Sequence, residues 1–144
     1  MSNPDVRSID LERVAAGRYV AANERGGSIS IGSGATEDFT PVELLLAAIA
    51  SCGAIDLDLV VTKRAEPTTF LATASGEKVR DDLGNRLTGL DVQFTLAFPD
   101  DQSGVDAWSV VSRTLQQIVD RLCTVSRTVA IGTPVHIDAG GVSE

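Results

Sequence analysis

A chain of 144 residues and 15.1 kDa holds enough sequence for one domain with a core and too little for two ordinary ones. Its 20 acidic against 12 basic residues, a net charge of -8, oppose binding to nucleic-acid phosphates and to anionic membrane surfaces. One histidine, His136, and two cysteines, Cys52 and Cys123, exclude most hydrolytic triads, His-rich metal sites and a disulfide-dense secreted scaffold.

The opening MSNPDVRSIDLERV lacks the basic start and apolar run of a secretory leader. The longest apolar stretch, residues 44–55, is too short to cross a bilayer and then meets Asp56 and Asp58. These features predict a cytoplasmic protein, not bound to membrane, whose cysteines rest as thiols. Residues 1–144 are expected to form a single domain, with 1–9 and 140–144 frayed.

Residues 11–22 and 28–32 read as two strands, with Ile29 and Ile31 alternating with serines. The turn Asn23-Glu24-Arg25-Gly26-Gly27 between them carries the glycines a hairpin needs. After a polar loop, Thr40, Pro41 and Glu43 form the start signal of a helix, a cap, a first-turn proline and a reciprocal acceptor. Lys63 and Arg64 suit its C-terminal end. Between residues 44 and 55 this helix is apolar on every side, which predicts burial all round. So small a domain can hardly bury a helix on all faces by itself, and dimerisation is the expected remedy.

A second hairpin follows. Residues 70–75 form one strand, Asp81-Asp82-Leu83-Gly84-Asn85 turns the chain, and Leu90, Val92, Phe94, Leu96 and Phe98 alternate in the return. Past Pro99, Trp108, Val111, Leu115, Ile118 and Leu122 recur at helical steps and predict an amphipathic helix over residues 105–122. Residues 123–129 suit a short helix or a strand equally, and 133–138 read as a final strand carrying His136. The whole is an α+β pattern of hairpins around helices.

The chemistry lies with the cysteines. Cys52 stands twelve residues past the helix cap, ~18 Å from the positive helix end and out of its reach. In apolar surroundings its pKa should rise, so reactivity requires a nearby cation. Cys123, 71 residues later, can meet it only through tertiary structure. On the residues alone, two structural thiols are a better reading than a reactive pair. Arg18 shares a strand face with Val14, Ala16 and Val20, so it is either an inward cation needing an anion or a surface residue of an edge strand. Glu43 could pair with Arg18, although the cap already accounts for it. Nine residues of helix put Glu43 about half a turn from the face of Cys52. Asp56 is expected to pair with an arginine. No metal site is expected, since one histidine and two distant cysteines suit zinc poorly.

The segments TPVELLLAAIASCGAIDLDLV and RLCTVSRTV, with NERGG and GEKVRDDLGNRL, resemble the OsmC/Ohr family of bacterial stress proteins and organic hydroperoxide reductases over roughly residues 14–139. The resemblance implies two intertwined chains whose sheets wrap paired central helices. It also implies two sites at the dimer interface, with Cys52 as peroxidatic cysteine, Cys123 as resolving cysteine, and Arg18 and Glu43 as the charged pair. The sequence departs from the common pattern at Val42, where the acidic residue usually stands, and at Thr124, where a proline usually follows the second cysteine. The implied activity is reduction of organic hydroperoxides through a Cys52 sulfenic acid, resolved by Cys123 and regenerated by a small dithiol or lipoyl group, with no cofactor. The contrasting reading is a non-catalytic dimer that binds a small apolar ligand, with both cysteines structural.

Overall fold

A computed structural model describes residues 3–142. Of the ends expected to fray, residues 1–2 and 143–144 lie outside the described residues. The order is β1 (Asp10–Ala15), β2 (Arg18–Ala22), β3 (Ser28–Ile31), α1 (Pro41–Val61), β4 (Thr69–Asp81), β5 (Gly84–Ala97), α2 (Gln102–Gln117), a π-helical turn (Ile118–Leu122) and α3 (Thr124–Ala130). It is an α+β protein with two antiparallel sheets. The chain divides into two compact units after Ala47, within α1, and each is described in turn.

The first unit is a three-stranded sheet in the order β1-β2-β3. The single strand expected over residues 11–22 is in fact two. Gly17, at φ 68°, reverses the chain, and Ala15 then pairs with Arg18. The left-handed backbone at Gly17 is what alternation alone could not reveal. The second turn matches its expectation: the Asn23 carboxamide accepts the backbone N–H groups of Arg25 and Gly27. Ahead of α1, Thr40 N–H donates to Glu43 Oε1 (2.9 Å) and Glu43 N–H donates to Thr40 Oγ1 (3.3 Å), a closed capping box.

The second unit is built on the β4-β5 hairpin, whose turn is set by Gly84 (φ 97°) and by Asp81, which accepts Leu83 N–H and pairs with Arg86 at 2.6 Å. One face of the hairpin, including Phe70, Phe94 and Leu96, packs on a core of Leu57, Val61, Val110, Val111, Ile118 and Cys123. Asp101 caps α2 by accepting Gly104 N–H at 3.1 Å, so this helix starts at Gln102, ahead of the expected 105. It also ends early. From Ile118 the hydrogen bonds lengthen by one residue, and Cys123 N–H donates to Ile118 O at 3.2 Å. Residues 124–130, ambiguous in sequence, are helical.

One expectation fails. Residues 133–138 are not a strand: they run without a ladder, and Val135 and Ile137 are exposed. Alternation describes a chain that can join a sheet, whereas a strand also needs a neighbour to complete its hydrogen bonds. Helix α1, as expected of so small a domain, is not buried all round within a single chain. Gly53, Leu57 and Val61 form one buried stripe, while Ile55 and Leu59 are 62% and 61% exposed. Helix α1, 21 residues long with an 18-residue stretch of mean hydropathy 2.1, is also long and apolar enough to cross a membrane, which the shorter apolar run of residues 44–55 did not suggest. Core helices of water-soluble proteins meet the same criterion.

Candidate functional site: a dithiol pair beside an apolar cavity

The second unit brings its two cysteines together. Cys52 is half-buried on α1, next to the buried stripe, and packs against the core that contains Cys123. Cys123 has no exposed surface. The π-helical turn ends there in extended backbone (φ -77°, ψ 103°), and α3 begins at the next residue. The sulfur takes the place of a capping oxygen: Cys123 Sγ accepts Ser126 N–H at 3.4 Å. A π turn adds a residue to the helical circuit and redirects the chain beyond it, and such turns are frequent at functional sites. Here it separates two helices and turns a thiol inward.

The two thiols differ in character. Burial pushes the Cys52 thiol up and the Cys123 thiol pushes it further; Val125 N–H opposes them, and the negative charge of Asp56 adds a smaller upward push. Burial also acts to raise Cys123, but the Cys52 thiol, the Ser126 hydroxyl and the N–H groups of Ser126 and Val125 outweigh it and leave the group lowered. Of the two thiols, Cys123 is thus the one that gives up its proton more readily. Sequence reasoning missed the donors at the start of α3. A serine three residues after an extended cysteine was the available signal, and it is a weak one.

Beside the pair lies an apolar cavity of about 660 Å³, whose wall includes Gly53, next to Cys52 in the chain, and Ser126, the donor to Cys123. Ile49, Phe94, Trp108 and Ile118 line much of the rest. Its size and apolar lining suit a small organic molecule. Among the described residues no three His, Cys, Asp or Glu side chains are grouped to hold a metal ion.

Arg18 and Glu43 belong to the first unit, and they are not partners. The Arg18 guanidinium meets Asp38 Oδ2 at 3.2 Å through both Nε and Nη2. Asp38 Oδ2 also accepts Thr36 Oγ1 at 3.1 Å. Since β1 and β2 are separate strands, Arg18 does not continue the face of Val14 and Ala16. Glu43 is engaged by Thr40, whose N–H and hydroxyl hold its carboxyl below the usual carboxylate range. The acid on Arg18 is thus Asp38, a loop residue that no periodic pattern singles out.

Asp56 is also placed differently from expectation. It has no arginine: its Oδ2 is buried and has no hydrogen-bond partner among the described residues. His136 lies in the exposed C-terminal segment, 3.3 Å from Asp138.

Comparison with known proteins agrees with this architecture. The family model described as OsmC-like protein matches residues 32–138. An uncharacterised protein of Mycobacterium tuberculosis is 28% identical over 130 residues, covering 89% of this chain and 92% of its own. In structure the chain is similar to a hypothetical protein from Aquifex aeolicus, with a TM-score of 0.70, 18% identity and 90% of each chain covered. It is also similar to an OsmC-like protein from Mycoplasma pneumoniae, with a TM-score of 0.68, 13% identity and 89% of each chain covered. These two likenesses concern the fold.

Proposed function

Since the chain belongs to the OsmC-like protein family, we propose that it is a thiol-dependent peroxidase acting on organic hydroperoxides. The observation that carries this reading is the pairing of two free thiols, 71 residues apart in sequence, beside an apolar cavity. Cys52 is the nucleophile on this reading because it is the partly exposed sulfur, whereas Cys123 is closed off from solvent. The Cys52 thiolate attacks the hydroperoxide oxygen farther from the organic group. The O–O bond breaks, the oxygen stays on sulfur as a sulfenic acid, and the alkoxide leaves as an alcohol after taking a proton. Cys123 then attacks the sulfenic sulfur, water leaves, and a disulfide remains. A small dithiol, such as a lipoyl group, reduces that disulfide by exchange and is itself oxidised.

The proton on Cys52 must depart before the first step. Arg18 is the cation this reading assigns to the thiolate, with Asp38 orienting its guanidinium and Glu43 retained as the cap of the helix that carries Cys52. The reading requires no metal or organic cofactor. The exposed apolar side of α1 supports a homodimer in which a second copy covers Ile55 and Leu59. A cytoplasmic location, where thiols are kept reduced, completes the proposal.

The test is a thiol count by mass spectrometry before and after one equivalent of an organic hydroperoxide. Both thiols should disappear into one internal disulfide. Cys123→Ser should stop the reaction at an oxidised Cys52, and Cys52→Ser should abolish it. Two intact thiols after exposure would overturn the peroxidase reading. The apolar cavity favours a second reading, a ligand-binding dimer with structural cysteines. An apolar fluorophore that binds equally well to wild type and Cys52→Ser, with no disulfide formed, would support it.

A further inference from the structure

Asp56 follows Cys52 by four residues on α1. That spacing places the two side chains on one helix face, with Cβ atoms about 5–6 Å apart. Asp56 Oδ2 is wholly buried and makes no hydrogen bond among the described residues. A buried carboxylate oxygen without a donor is costly and contributes nothing to the fold in return. An oxygen of this kind one turn from a half-buried thiol has a direct chemical consequence, because its negative charge opposes a second one on the sulfur.

The other groups acting on Cys52 are few. From the junction of the π turn and α3 come the Cys123 thiol and Val125 N–H. Cys52 packs on the same apolar core as Phe70, Phe94 and Leu96 of the hairpin and Leu115 of α2. Asp58, two residues on from Asp56, is exposed. Asp56 is thus the charged group that faces this sulfur from its own helix.

We propose that Asp56 is a positioning residue of the dithiol site: its buried, unpartnered carboxylate oxygen, one helical turn from Cys52, holds that thiol in its protonated and less nucleophilic form in the reduced protein. This rests on the dithiol reading above and adds a resting state to it. Burial raises the Cys52 thiol first, the Cys123 thiol adds to it, and the charge of Asp56 acts in the same direction.

The experiment measures site-resolved alkylation of the reduced full chain by iodoacetamide across pH, with Cys52 and Cys123 followed separately by peptide mass spectrometry. Asp56→Asn is nearly isosteric and removes a buried charge, so it should fold. It should lower the pH midpoint of Cys52 alkylation and speed the reaction about three- to tenfold at a pH below that midpoint, equivalent to about half to one pH unit. Asp56→Leu should do the same, and Asp58→Asn should leave the profile in place. A midpoint that is unchanged or raised in the Asp56 variants overturns the proposal. Loss of folding in both would assign Asp56 a structural role and overturn it equally. Failure of wild type to form a disulfide with peroxide would instead strike the peroxidase reading, and the alkylation profile would still decide the role of Asp56.

Discussion

Two glycines, Gly53 and Gly104, lie on helices and answer opposite demands. A Cβ built on Gly104 would stand 1.9 Å from the carbonyl oxygen of Pro99, so the close approach of α2 to the preceding loop excludes any side chain. Gly104→Ala should destabilise the protein by about 1–3 kcal/mol or more, read from urea unfolding. A Cβ on Gly53 would meet Ile118 Cγ2 and Phe94 Cζ at 3.6 Å, an ordinary contact. There the helical preference of alanine should prevail, and Gly53→Ala should stabilise by about 0.5–1 kcal/mol while narrowing the apolar cavity. At the same scale, the assignment of Arg18 has a direct test. Arg18→Ala should slow alkylation of Cys52 about tenfold at neutral pH, the reverse of the Asp56→Asn effect. Unchanged kinetics would remove Arg18 from the site.

Among the elements, α1 joins the thiol to the core. Leu57 is fully buried one turn and one residue past Cys52, and Val61 lies at the next turn. Leu57→Ala should cost about 2–5 kcal/mol by chemical denaturation, since the cavity it leaves opens within the central cluster. The ends and turns of the elements depend on carboxylates. Glu43 is held low by Thr40, Asp81 by Arg86 and Leu83 N–H, and Asp101 by Ser103 and Gly104 N–H. Each has a folded pKa below its ordinary value of 4.5 or 3.8, so the unfolded chain takes up protons first as pH falls. Their contribution is complete above those ordinary values and is lost as pH falls through the lowered ones. The urea midpoint should therefore drop on acidification below about pH 4.5, and Asp81→Asn combined with Asp101→Asn should flatten that slope. The Cys52 thiol acts at the other end of the scale. Its raised pKa acts to lower stability as pH rises past the ordinary thiol value, and the lowered pKa of Cys123 acts in the opposite direction.

For the whole molecule the deciding feature is apolar surface. A chain with an acid excess of this size keeps Ile55, Leu59 and Leu71 more than 60% exposed. Sedimentation of the reduced protein should give twice the 15.1 kDa of one chain. Leu59→Lys should shift that equilibrium toward single chains by placing a charge in the surface a second copy would cover. A wild-type monomer at micromolar concentration would contradict the homodimer.

What could be read from the sequence was whatever is determined by near neighbours. The capping box Thr40-Pro41-Val42-Glu43 announced α1, and it is closed by the two hydrogen bonds that pattern implies. The alternation from Leu90 to Phe98 announced β5, and the cysteine segments together announced the OsmC-like family. Local chemistry suffices in these cases because caps and alternation are satisfied within a few residues. Elsewhere the partner is distant or the backbone changes state. The split of residues 11–22 at Gly17, the π turn that delivers Cys123, the choice of Asp38 for Arg18 and the unpartnered oxygen of Asp56 emerge only in three dimensions. The expected final strand over residues 133–138 failed for the same reason: alternation is a property of one segment, but a ladder belongs to two. The meeting of Cys52 with Cys123 is likewise tertiary, and so is the contrast between the two thiols, since burial and the N–H donors of α3 act across space and not along the chain.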